Sequence, residues 1–304
     1  MKVKNKIEYL ATTTASAEKA VAPTFPIWFR LVRFAFRFLG PLFPKRAGRI
    51  AFQLFATPRT RARHKISDRV MEKARIFDIL YGGHILKAYE WGEGDRVILL
   101  VHGWESRGTA LRSFVPSLVK RGFRVVAFDG PAHGNSGGKQ TTLPHFGGAI
   151  CALINHLGGV DGIIAHSFGG ASTAFALANL DTEIALRKLV LVGVPSRMTK
   201  VTEHYLELFK MPSSVAKEYR KILNEVLNMP IENADLKNAF PKMRVGETLI
   251  VHDEEDTVVP FASSQDIYDH WENATLLVSK GLGHYKLMKH PALVKRVTEF
   301  IDSY

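Results

Sequence analysis

From residue 75 onward, short continuous apolar runs alternate with longer stretches in which apolar side chains recur every three or four positions. Residues 76–81 and 85–91 flank Gly82-Gly83, the pattern of a β-hairpin closed by a two-residue turn. Residues 97–102, 124–128, 162–166, 189–194, 248–251 and 275–278 are short and apolar, as expected of strands covered on both faces of a parallel sheet. Between these runs, residues 109–121, 142–157, 169–179, 261–270 and 291–303 read as helices. The alternation predicts an α/β fold: a doubly wound, mostly parallel sheet of about eight strands with flanking helices, opened by an antiparallel hairpin. One interval breaks the rhythm. Residues 197–246 carry helical patterning, at 203–210 and 213–227, and no convincing strand, which predicts a small helical cap over the sheet edge.

The first 74 residues have another texture. Residues 1–24 read as a mobile tail. Over residues 26–39, Arg30, Arg33 and Arg37 share one helical face while Trp28, Phe29, Leu31, Phe34, Phe36 and Phe38 cover the rest, and Gly40-Pro41 ends the helix. A second helix is predicted over 45–56, stopped before Pro58 and followed by a basic connector at 59–65. The formal charge of +12 is concentrated here: residues 1–75 hold 17 Lys/Arg against 4 Asp/Glu, whereas residues 76–304 hold 24 against 25. The basic excess therefore concerns the partners of the N-terminal segment and not the core. Two readings stay open. The helices form an extension lying on the main domain, or residues 26–56 form a membrane-surface element with arginines at lipid headgroups. Nucleic acid is not an expected partner, because no nucleic-acid-binding motif accompanies the charge.

The apolar window at 25–43 is interrupted by three arginines and Pro41, so no transmembrane helix is expected. The lysines at the start are followed by no apolar core of a secretory signal, and the single cysteine, Cys151, can form no internal disulfide. The expected location is cytoplasmic, with a membrane-peripheral position if the second reading of the helices holds.

The segment Gly162-Ile-Ile-Ala-His-Ser167-Phe-Gly-Gly170 runs a strand through a serine into a glycine-rich helix start. A nucleophilic serine needs an exposed oxygen, small neighbours where strand meets helix, and a donor for the developing oxyanion. Ala165 and Gly169 are small, and the following helix aims backbone N–H groups and its positive end at that point. The serine also needs a base within hydrogen-bond reach, and the base needs a carboxylate to hold its tautomer. Twelve histidines are available, and Asp253-Glu254-Glu255-Asp256 gathers the candidate acids.

Taken together these residues resemble the α/β-hydrolase fold superfamily of serine esterases and lipases, over about residues 85–304. The serine segment is similar to its nucleophile elbow, G-x-S-x-G, with Ala165 in place of the first glycine. His102-Gly103-Trp104 resembles its oxyanion loop, and Asp129-Gly-Pro-Ala-His133-Gly134-Asn-Ser136-Gly137 its D-x-P-G-x-G-x-S turn. The resemblance implies Ser167 as nucleophile and His284, in the flexible loop Gly281-Leu-Gly-His-Tyr, as base. It implies Asp256 as the orienting acid, since Asp256 alone has the Val259-Pro260 context at the right offset, while Asp253 stands where the family has glycine. The backbone N–H groups of Trp104 and Phe168 would form the oxyanion hole, and His102, Asp129 and His133 read as loop architecture. Residues 75–304 would be the catalytic domain, carrying the cap, and residues 1–74 its tail and helical extension.

The implied reaction is cleavage of a carboxylic ester or related acyl bond in a small-molecule substrate, through an acyl-enzyme on Ser167. Acyl transfer or peptide cleavage by the same triad stays open, as does a non-catalytic membrane-peripheral binding protein on this fold. No cofactor is expected. No metal is expected either, since no histidine pair shows the helical spacing with a neighbouring acid used by zinc hydrolases.

Overall fold

The computed structural model describes residues 5–11, 26–62 and 68–303. In chain order the elements are β1 (Lys6–Tyr9), α1 (Ile27–Phe38), α2 (Pro44–Ala56), β2 (Arg75–Tyr81), β3 (His84–Trp91), β4 (Val97–Val101), α3 (Val115–Lys120), β5 (Arg124–Phe128) and α4 (Leu143–Leu157). They continue with β6 (Gly162–His166), α5 (Phe168–Asn179), β7 (Ala185–Val192), α6 (Met198–Leu208), α7 (Ser213–Leu227), α8 (Leu236–Ala239), β8 (Arg244–Asp253), α9 (Ala262–His270), β9 (Ala274–Ser279), α10 (Gly283–Lys286) and α11 (Pro291–Asp302).

The strands form one nine-stranded sheet in the order β1-β9-β8-β7-β6-β4-β5-β3-β2. The β2–β3 and β3–β5 pairs are antiparallel and the remaining pairs parallel. The continuous hydrophobicity of the central strands follows from burial on both faces. In β4, Leu99 and Val101 enter the core shared with α4 and α5, while Ile98 and Leu100 enter the opposite core under α3 and α11. Each such side chain contributes roughly 1.5–3 kcal/mol by leaving water. The doubly wound α/β architecture is as the alternation predicts.

The chain passes from β4 to β5 on one side and to β6 on the other, so the crevice beyond the carboxyl ends of β4 and β6 is a topological switch point, where open α/β sheets bind ligands. The Trp104 loop and Ser167 leave these two strands side by side.

The ninth strand corrects the reading of the N-terminus. Residues 6–9, expected within a tail, pair in parallel with β9, from Lys6 opposite Thr275 to Tyr9 opposite Val278. Asn5 caps the pairing by donating to the Trp271 carbonyl (3.0 Å) and accepting from the Ala274 N–H (3.2 Å), and Arg296 forks onto the Glu8 carboxylate (2.7 and 3.1 Å). Residues 1–4 and 12–24 of that tail, and 63–65 of the basic connector, lie outside the described residues. Smaller differences are local. β7 and β8 each begin four residues before the expected runs, and the stretch predicted as one helix at 109–121 is a 3-10 segment, Gly108–Phe114, followed by α3.

Over residues 197–246 the chain forms α6, α7 and α8, the predicted helical insertion, with β8 starting at Arg244. The N-terminal helices pack on it. Phe29 is 1% exposed, with its ring 4.8 Å from that of Phe209, and the Tyr205 hydroxyl donates to the Ala51 carbonyl (2.8 Å). One face of the N-terminal pair is thus part of the same core as the cap. No helix among the described residues is long and apolar enough to cross a membrane.

Candidate active site

Ser167 sits between the end of β6 and the start of α5, with φ 53° and ψ −125°. A non-glycine residue in that region costs about 1–3 kcal/mol and persists only when its surroundings hold it. Here the Ser167 N–H donates to the Val192 carbonyl (2.9 Å) and its own carbonyl accepts from the Gly170 N–H (2.9 Å). The turn requires the small residues that follow. A Cβ on Gly169 would lie 2.3 Å from the His102 carbonyl oxygen. Phe168 is the first residue of α5, so its N–H has no carbonyl one turn back within the helix. The Phe168 ring meets Trp104 edge-on at 5.3 Å, and both residues are half-buried, as is Ser167.

The histidine and acid expected from the sequence meet. The Nδ1–H of His284 donates to Oδ2 of Asp256 at 2.6 Å, and both residues are buried. Oδ1 of Asp256 accepts from the N–H groups of Val258 (2.8 Å) and Val259 (2.9 Å). Burial by itself would raise the pKa of this carboxyl. The nearby His252 and the hydrogen bonds from His284 and the Val259 N–H outweigh it and hold Asp256 well below the usual carboxylate range, so it is ionised at neutral pH. With Nδ1 occupied by the carboxylate, Nε2 of His284 is the nitrogen left to take a proton. The His284 ring lies 4.5 Å from that of His166, the residue before Ser167, which brings the base candidate to the serine turn. His284 is carried on the one-turn helix α10, where an open flexible loop was expected.

The competing acid is engaged elsewhere. Oδ2 of Asp253 accepts from the Ser279 hydroxyl (2.7 Å) and the Leu282 N–H (3.0 Å), and Oδ1 from the Glu255 N–H (3.1 Å). Asp253 thereby ties the loop bearing Asp256 to the loop bearing His284. That is a physical reason for a carboxylate where the family resemblance led one to expect glycine.

Three supporting residues were not singled out from the sequence. His252, at the end of β8, donates from Nε2 to the Val259 carbonyl (2.9 Å), lies 3.4 Å from Oδ2 of Asp256, and accepts at Nδ1 from the Ser264 hydroxyl (2.6 Å). His166 donates from Nε2 to the His284 carbonyl (3.0 Å), and burial, aided by the neighbouring His284, pushes its pKa down to about 3, so it stays neutral. Gly193, at φ 57° just past β7, leaves room for the base, since a Cβ there would stand 3.2 Å from the His284 ring. The usable signal was position: each stands at the carboxyl end of a parallel strand, where site residues collect.

The residues read as architecture are so placed. Buried Asp129 accepts from the Tyr89 hydroxyl (2.8 Å) and from the N–H groups of Gly108 (2.7 Å) and Asn135 (2.8 Å). His102 donates from Nδ1 to the Gly103 carbonyl (2.7 Å) and accepts at Nε2 from the Gly130 N–H (2.9 Å). His133 bridges the Pro131 carbonyl and the Glu105 N–H in the same way (2.9 and 3.0 Å), and burial lowers its pKa. Each ring has both nitrogens committed and joins the Trp104 loop to the 129–137 turn. Among the described residues no cluster of three or more His, Cys, Asp or Glu has the arrangement of a metal site.

A sequence model described as the alpha/beta hydrolase family matches residues 98–297. The chain is 26% identical to a non-heme haloperoxidase of Rhodococcus erythropolis over 241 residues, 64% of this chain and 87% of that protein. It is 30% identical to a bifunctional esterase/perhydrolase of Acinetobacter calcoaceticus over 116 residues, 36% and 42% of the two chains. In fold it is similar to an esterase of Pyrococcus furiosus, with TM-score 0.62 and 20% identity, covering 81% of this chain and 96% of that one.

Proposed function

The chain belongs to the alpha/beta hydrolase family, and we propose that within it the protein is a serine hydrolase of carboxylic esters, with Ser167 as nucleophile, His284 as base and Asp256 as the acid that orients the base. The observation that carries this reading is the 2.6 Å Asp256–His284 hydrogen bond beside a serine held at φ 53° at the strand-to-helix turn. As the Ser167 oxygen attacks the ester carbonyl, its proton passes to Nε2 of His284, and ionised Asp256 stabilises the imidazolium. The N–H groups of Trp104 and Phe168 receive the oxyanion. The alcohol leaves with the proton from His284. Water, deprotonated by the same nitrogen, then releases the acid and restores Ser167.

The names of the two sequence relatives favour one variant of this cycle. Hydrogen peroxide in place of water would take the acyl group from Ser167 and leave as a peracid, with the same proton path through His284. Assays of acid and peracid release from a short ester, with and without peroxide, separate the two acceptors.

The chain should react with a fluorophosphonate probe and hydrolyse a short p-nitrophenyl ester, and Ser167→Ala should lose both while keeping its circular dichroism spectrum. A folded Ser167→Ala protein that turns over the ester at the wild-type rate would remove the assignment.

A further inference from the structure

Helix α1 is apolar on two opposite sides. On one, Phe29 and Phe36 are buried against Phe209 of the cap. At about 100° per residue, Ile27, Leu31, Phe34 and Phe38 fall on the other side, and they stand in solvent at 76%, 63%, 58% and 55% exposure. Leu42 and Phe43 in the turn that follows and Ile50 and Leu54 on α2 are exposed as well. A surface helix of a globular protein buries its apolar stripe and turns charge outward. A second, contiguous stripe left open marks an interaction surface.

The charge that this segment itself carries has one sign. Arg30, Arg33 and Arg37 run along the seam between the two apolar sides of α1, and Lys45, Arg46 and Arg49 project from the first half of α2. The sequence holds no aspartate or glutamate between Glu18 and Asp68. Arg59 lies over the Trp28 ring at 5.3 Å, which adds an aromatic with a cationic neighbour at the edge of the same face.

We propose that the outer face of α1, the following turn and α2 seats on the surface of an anionic lipid bilayer. The aromatic and aliphatic side chains then lie below the headgroups, and the arginines and lysines meet lipid phosphates, the arrangement that interfacial helices adopt. Helix α1 has 12 residues, so it lies along the surface and does not span it. A second copy of the chain fits the face less well. A two-fold interface would press like against like and bring one cationic set against an identical one. The surface is distinct from the serine turn but connected to it, because the Arg59 N–H and the Thr60 hydroxyl donate to the Glu105 carboxylate (2.7 and 3.3 Å), next to Trp104.

The test uses the full chain, sedimented with vesicles of phosphatidylcholine alone and with added phosphatidylglycerol. The wild-type protein should pellet with the anionic vesicles, and pelleting should fall several-fold in high salt. A triple variant, Leu31→Glu, Phe34→Glu and Phe38→Glu, alters side chains that contact solvent. It should keep its circular dichroism spectrum and esterase rate and lose binding by about tenfold or more. Failure of the wild-type chain to bind anionic vesicles, or equal binding by the triple variant, overturns the proposal. So does light scattering that shows a wild-type dimer which the triple variant abolishes, in a protein that leaves vesicles untouched.

Discussion

Replacing Asp256 by asparagine tests the catalytic geometry more sharply than deleting the side chain, because the hydrogen bonds around it dictate how the amide must sit. Oδ1 accepts from two backbone N–H groups, Val258 at 2.8 Å and Val259 at 2.9 Å. An amide nitrogen at that position would put donor against donor twice, so the asparagine carbonyl must take it. The NH2 group then occupies the place of Oδ2, 2.6 Å from Nδ1 of His284. Facing a donor, the imidazole must accept at Nδ1 and carry its proton on Nε2, the nitrogen that receives the serine proton in the proposed cycle. The variant therefore holds the wrong tautomer, and it also removes the charge that stabilises the imidazolium. The combined loss should lower kcat by about 10³–10⁴, which is roughly 4–5 kcal/mol of transition-state stabilisation. Steady-state hydrolysis of a short p-nitrophenyl ester gives the number, with fluorophosphonate labelling as a second readout of nucleophilicity. KM should change little, since Asp256 is buried and touches no substrate. An Asp256→Asn protein within threefold of wild-type kcat would refute the orientation argument and, with it, the role of the carboxylate.

The same carboxylate affects acid stability. Its folded-state pKa is depressed, so its contribution is fully present above the ordinary aspartate value of about 3.9 and is lost as pH falls below that toward the folded value. The melting temperature of Asp256→Asn should accordingly show a shallower acid limb below about pH 4 than wild type, read by calorimetry; parallel curves would count against the depressed pKa. Gly169→Ala would press a methyl group to 2.3 Å from a backbone carbonyl that cannot swing aside. It should cost about 1–3 kcal/mol of stability and reduce the proposed esterase activity by displacing the Trp104 loop, checked by urea unfolding and rate together. Asp129→Ala would strip two buried donors and one partly buried donor of their acceptor and should destabilise by about 3–5 kcal/mol. A loss below 1 kcal/mol in urea unfolding would show those donors finding other partners.

What the sequence determined by itself is what depends on neighbours in the chain. Runs such as 97–101 and 162–166 announce strands because burial on both sheet faces demands unbroken apolar side chains. The serine turn is legible because a strand can run straight into a helix only through small residues. The order of the motifs pointed to the pairing of Asp256 with His284 only through family resemblance, since nothing local requires residues 28 positions apart to meet.

Tertiary structure decided the rest, for the same physical reason in each case. Residues 6–9 carry too little pattern to declare a strand, and they become one because β9 offers an open edge that Asn5 and Glu8 help to hold. Asp253, His252 and His166 bond to groups brought close only by the packing of parallel strands, so their tasks are invisible in one dimension. Helix α1 presents apolar side chains on two opposite sides, and only its contact with Phe209 determines which side is buried and which is left facing outward. Local chemistry selects the elements, and the energy of long-range contacts assigns each residue its neighbours.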